Sequence, residues 1–196
     1  KRQLYTSLHA VLETATAKSM FALGLNVAET LEDDVLAEGQ MALGHRRTAV
    51  FSGHYSKAWV TKRGTGLWRH GIWVGPKRIE TAVFDLPRGV YLMHLKYANI
   101  DALETANQHR TDVGNMPGRG LPGAAWKEAE QTAARFYARL AGFRDETWEV
   151  ARDHAYATIS AEPVRDAKEN VLRAKSTVFE QRVTLPEWVA ATFGDT

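Results

Sequence analysis

No cysteine occurs among the 196 residues of this chain. Disulfides and thiolate-held metals are thereby excluded, and the absence suits a reducing compartment, so the cytoplasm is the expected location. Long apolar runs are missing too. None approaches the roughly 20 residues that cross a bilayer, and no basic segment followed by an apolar one opens the chain. No transmembrane segment is expected, although peripheral association with a membrane remains compatible with the composition. Charge of one sign is also lacking: 25 Lys and Arg against 23 Asp and Glu leave a formal +2. That excess is too small to point to nucleic acid, and the basic pairs Arg46-Arg47 and Lys62-Arg63 read as solvated surface. There is no internal repeat and no low-complexity tract. The chain begins Lys1-Arg2-Gln3 without an initiator Met, and a piece of a longer protein, short of N-terminal material, is the expectation.

The rest is an ordinary globular composition, 44% hydrophobic and 24% charged, long enough for one well-buried core. Leu4, Leu8, Val11, Leu12 and Ala15 recur at helical spacing. Met20 to Val27 is a compact apolar run interrupted by Gly24, as in a strand with a close backbone approach. Residues 29–44 read as a surface loop with room for a short helix. Ala49 to Gly53 and Lys57 to Thr61 look like short strands, with turns at Gly64-Thr65-Gly66 and Gly75-Pro76. Gly89 to Leu95 is the strongest strand. Asp101, with Glu104 three residues on, has the form of a helix N-cap, and that helix is expected to run to about Arg110. A Gly- and Pro-rich loop over 114–123 precedes a helix from about Ala124 with Trp126, Ala129, Ala133, Phe136, Tyr137 and Leu140 on one stripe, stopped at Gly142. In the tail, breaks fall at Pro163 and Pro186. Val171, Leu172, Val178, Phe179 and Val183 fit one helical face, but Thr177 to Leu185 also suits a strand. Strands interleaved with helices indicate α/β or α+β, with a helical C-terminal region.

Several side chains carry chemistry, each with a plainer alternative. His94, near the end of an apolar strand, is either a ligand for a divalent cation or phosphate, or a core histidine satisfied by a carbonyl. Lys57 either holds a phosphate or hydroxyl as a point charge or snorkels from a strand edge. Trp68, His70 and Trp73 share one Gly-containing connection; their rings either face a sugar or base, or fold inward as a lid. Thr61 to Gly66 lacks the spacing of a phosphate-binding loop and reads as a turn. Glu32-Asp33-Asp34 has no apolar strand before it and reads as the opening of a short helix rather than a metal motif. His45 and His54 are too far apart for a helix-borne metal pair.

The order of these pieces resembles a known group. Tyr55-Ser56-Lys57, then Trp68 followed by Gly and an aromatic residue, then Leu92-Met93-His94-Leu95-Lys96 and Asp101, is similar to the C-terminal half of bacterial family 2 glycosyltransferases. The likeness covers roughly residues 5–110. Ala58 stands where that pattern has proline, and Gly71-Ile72-Trp73 lacks the pattern's histidine. The resemblance implies an α/β fold, a partial GT-A-like mixed sheet flanked by helices, with residues 1–112 as part of that domain and 113–196 as a mainly helical extension. It also implies transfer of a sugar from a nucleotide-sugar donor to a glycan or lipid-linked saccharide acceptor, with this chain inactive alone. Its catalytic base would be Asp101, and Lys57, Trp68, His70, Trp73 and Lys96 would bind substrate. His94 would join the shell of a divalent metal (Mn or Mg) that neutralises the departing diphosphate. Two other readings stand beside it: a non-catalytic carbohydrate- or phosphate-binding domain, and a sulfotransferase-like enzyme using Lys62 to Gly66. The second of these needs a helix directly after the loop, which Gly71 and Gly75-Pro76 oppose.

Overall fold

The computed structural model describes residues 7–62, 64–116 and 124–193. It is a mixed α/β structure. The chain begins with α1 (Leu8–Thr14), β1 (Ser19–Phe21), β2 (Leu23–Ala28), α2 (Ala42–His45) and β3 (Thr48–Phe51). Three short strands follow, β4 (Ala58–Thr61), β5 (Gly66–Trp68) and β6 (Trp73–Gly75), and then the long β7 (Tyr91–Tyr97). After it come α3 (Ile100–Asn115), α4 (Ala124–Lys127), α5 (Ala129–Ala141), β8 (Arg144–Glu146) and α6 (Trp148–Ala161). The chain closes with β9 (Val164–Asp166), β10 (Val171–Arg173), β11 (Gln181–Thr184) and α7 (Glu187–Phe193).

Two compact units are interleaved along the chain, one from residues 1–25, 51–94 and 149–179, the other from 26–50, 95–148 and 180–196. β2, β3 and β7 each pass from one unit to the other along their own length. The first unit holds the antiparallel pair β1-β4 and a four-stranded sheet in the order β5-β6-β10-β9. Two clusters of its core are formed by described residues. Phe21, Ala58, Val74, Ile79 and Leu172 form one, and Val11, Met20, Ala22 and Val90 form the other, with Trp59 and Leu92 packed against it.

In the second unit β11 runs parallel to β8 and antiparallel to β3, which makes the sheet β7-β2-β3-β11-β8 mixed. Its core gathers Ala28, Val50, Tyr97, Leu103, Ala133 and Leu140. Tyr97 is the centre of that cluster, stacked on Phe136 at 3.7 Å, while the Tyr137 hydroxyl donates to the Tyr97 carbonyl at 2.9 Å. Burial pushes the Tyr137 phenol up to about 12, so it keeps the proton it donates.

Several local expectations need correction. α3 is capped by Asn99, whose side chain accepts from Ala102 N at 2.8 Å, so Asp101 is a first-turn residue and not the cap. An Asn two residues earlier in an extended conformation outcompetes it, because only that backbone aims the side chain at the free amides. α3 also continues to Asn115; the rest of the expected Gly- and Pro-rich loop, 117–123, lies outside the described residues. In the tail, 171–185 forms strands β10 and β11, not a helix. Glu32-Asp33-Asp34 opens no helix; the Asp33 carboxylate instead accepts from Thr30 N and Oγ1, closing a turn.

Arg46 departs furthest from the solvated surface expected of it, being 1% exposed. Its guanidinium donates to the carbonyls of Ala98 (2.7 Å) and Asp34 (2.8 Å) and lies 3.0 Å from the Glu29 carboxylate, which also accepts from Ile100 N. One planar fork thus ties the acidic loop, the end of β7 and the start of α3. Replacing it strands a carboxylate and two carbonyls. Arg46→Met is expected to lower stability by about 3 kcal/mol and Glu29→Gln by less. Urea denaturation of the singles and the double would check this; full additivity would refute the coupling.

Candidate functional site

The site grows from the loop Ser52–Lys57, between β3 and β4. Gly24 lies so close beneath it that a Cβ there would sit 2.1 Å from the Tyr55 carbonyl carbon. That space is used for hydrogen bonds. Gly24 N donates to Ser56 Oγ at 2.9 Å, Ser56 Oγ donates to the Ser52 carbonyl at 2.9 Å, and Ser52 N donates to the Gly24 carbonyl at 2.9 Å. Ser56 is 1% exposed, so its hydroxyl replaces the water that these backbone groups would otherwise need.

With the loop clamped, Tyr55 is aimed at β7. Its ring stacks on the His94 imidazole, with centroids 3.8 Å apart and planes 19° from parallel. His54 meets Tyr55 edge-on at 5.0 Å, and Lys57 Nζ sits 5.0 Å from the Tyr55 centroid. On the other side of His54, Nδ1 lies 3.5 Å from Ser176 Oγ, which also takes a hydrogen bond from Arg173 at 3.4 Å. The cluster therefore unites two imidazoles, a phenol, an ammonium, a hydroxyl and a guanidinium. Its electrostatics agree. The His54 pKa is lowered by burial first, then by the charges of Lys57 and Arg173, and burial also lowers that of Lys57. Such a positive, partly desolvated group is arranged to receive negative charge.

No protein-family model matches this chain, and comparison with curated proteins and with solved structures gives no significant match.

Of the residues singled out in the sequence, Lys57 and His94 both meet the Tyr55 ring. His94 sits in the middle of β7 rather than at its end, and is half-buried. Trp68, His70 and Trp73 form the tip of the β5–β6 hairpin. There Arg69, His70 and Gly71 all have positive φ (49°, 55° and 83°), a costly conformation for the first two. The turn is held because Gly71 packs onto the Ala58 carbonyl, where a Cβ would come within 2.2 Å, and because the Arg69 guanidinium stacks 3.7 Å over Trp73. Trp68 is 49% exposed and lies against Gly75, so it does not fold inward as a lid. Lys96 and Asp101 belong to the second unit. The Lys96 pKa is lowered by burial and by Arg110.

Reasoning from sequence did not assign Tyr55, His54, Ser176 or Arg173 to the site. Tyr55 stood inside the very segment that was singled out, whereas nothing in the local pattern around 173–176 marks those residues. The His94 imidazole meets the Tyr55 ring. Mg and Mn favour oxygen ligands, carboxylates foremost. Among the described residues no group of three His, Cys, Asp or Glu comes together.

Two expectations follow. Gly24→Ala, which must displace the Tyr55 backbone, should cost about 2–3 kcal/mol, measured by thermal or urea unfolding; a neutral substitution would contradict the close approach. His54 should titrate below its ordinary 6.5 by NMR, and Lys57→Met should move the midpoint back up. Since the unfolded chain takes up this proton first, the contribution of His54 to stability is complete above pH 6.5 and is lost as pH falls through the folded-state value. A midpoint at or above 6.5 would remove the electropositive description.

Proposed function

We propose that the Tyr55–His94 cluster binds the phosphate-bearing part of a nucleotide-sugar, in a protein that transfers the sugar to a saccharide acceptor. The observation that carries this reading is the stack itself. Two separate segments of the glycosyltransferase-like pattern, Tyr55-Ser56-Lys57 and His94-Leu95-Lys96, meet through one ring pair. Lys57, the imidazole of His54 and the Arg173 guanidinium then stand where charge on a leaving diphosphate would need donors. The Trp68 face and the Arg69–Trp73 pair offer surfaces to a sugar or base. Asp101 as the catalytic base and Lys96 as a substrate contact rest on the resemblance alone.

A second reading, a non-catalytic phosphate- or carbohydrate-binding domain, is favoured by the chemistry gathered around Tyr55: cations, imidazoles and hydroxyls, the equipment of binding more than of proton abstraction.

Calorimetric titration with UDP-glucose and GDP-mannose, with and without Mn²⁺, separates the two. Lys57→Ala and His94→Ala are each expected to weaken binding about tenfold, the loss of one charge-assisted contact. Binding accompanied by release of free UDP or GDP in the presence of acceptor saccharide supports transfer. Binding without release supports the binding domain, and no saturable binding of either probe overturns both.

A further inference from the structure

A cavity lies in the first unit, between the start of β1 and the segment 76–83 that leads from β6. Its volume is about 410 Å³, within the range of small-molecule sites. The floor is apolar, made by Leu172 and Ala82, and the rim carries Lys18, Lys77 and Arg78 with no carboxylate among the lining residues. None of these three cations forms an ion pair with a described residue. Concentrating like charges around one concavity costs stability unless something neutralises them.

Ser19, at the first position of β1, is 4% exposed and lines the same cavity, where its side chain adds a hydroxyl to the three cations. The wall facing it is built, not loose. Arg165 Nη1 donates to the carbonyls of Ile79 (3.1 Å) and Ala82 (2.5 Å), and Asn170 Nδ2 donates to that of Pro76 (2.7 Å). These bonds fix the segment bearing Lys77, Arg78 and Thr81 from behind, which lowers the ordering cost of binding.

We infer that this cavity is a second binding site, for the phosphate monoester of a small, partly apolar molecule. A tetrahedral dianion matches several convergent donors, Lys18, Lys77, Arg78 and the hydroxyls of Ser19 and Thr81, better than a carboxylate does. The apolar body of the ester covers Leu172. None of these residues belongs to the Tyr55–His94 cluster, so the inference does not rest on the function proposed above.

The test is an NMR titration of the isotope-labelled chain with phenyl phosphate, inorganic phosphate and phenol. Phenyl phosphate should saturate, with amide shifts at Ser19, Thr81 and Ala82, bind more weakly as salt is raised, and outcompete the other two. Lys18→Ala and Arg78→Ala, both at exposed positions that leave the fold intact, should each weaken it about tenfold. Ser19→Ala should weaken it less, without changing the unfolding transition. Shifts that do not saturate, phenol binding as tightly as its phosphate, or unchanged affinity in both cation variants would each overturn the inference. So would shifts confined to Tyr55 and His94, an outcome that would at the same time favour the other site.

Discussion

Everything at the Tyr55–His94 site depends on the backbone of Gly24 touching the backbone of Tyr55. No side chain fits between them, so the three hydrogen bonds among Gly24, Ser52 and Ser56 can close at 2.9 Å each. Those bonds determine where the loop stands, and the loop determines the direction of Tyr55. A stacked pair of rings is a weak interaction, worth about 1 kcal/mol beyond the area it buries. It cannot pull two strands together. Here it is the consequence of a clamp made elsewhere: the hydrogen bonds of Gly24, Ser52 and Ser56 fix the loop, and the rings meet as a result.

The same unit repeats one electrostatic theme in two places. Around Tyr55 the His54 pKa is lowered by burial first and then by the charges of Lys57 and Arg173, while burial lowers that of Lys57. At the cavity beside β1, Lys18, Lys77 and Arg78 ring an apolar floor. The chain as a whole is nearly neutral, so neither feature could have been read from net charge. In the second unit the cation Arg46 is used in the opposite way. It is fully enclosed and held by two carbonyls and the Glu29 carboxylate, which makes it structural. Exposure and satisfaction of the donors, not residue type, separate the two uses.

Much of the local structure was legible before any coordinates. The apolar run around Gly24, the strand at 91–97, the stripe from Ala129 to Leu140 and the stop at Gly142 follow from periodicity and from glycine's lack of a side chain. The errors share a cause. Asp101 and Asn99 are both competent caps, and the choice between them depends on the backbone conformation of the residue before the helix. Residues 171–185 carry apolar side chains compatible with either period, and pairing with β6, β9, β8 and β3 made them strands. Arg46 looked like half of a surface basic pair until its partners, distant in sequence, were in place.

By itself the sequence determined the chain's mixed α/β character, the exclusion of cysteine chemistry, and the two segments around Lys57 and His94, because these follow from composition and short-range pattern. Only the tertiary structure decided that Tyr55 is the residue joining them, that Ser176 and Arg173 stand beside His54, that Arg46 is buried, and that a cationic cavity forms next to Ser19. Each of these depends on contacts between residues tens of positions apart. Such contacts are set by how packed elements exclude water and satisfy their polar groups, and no local pattern encodes them.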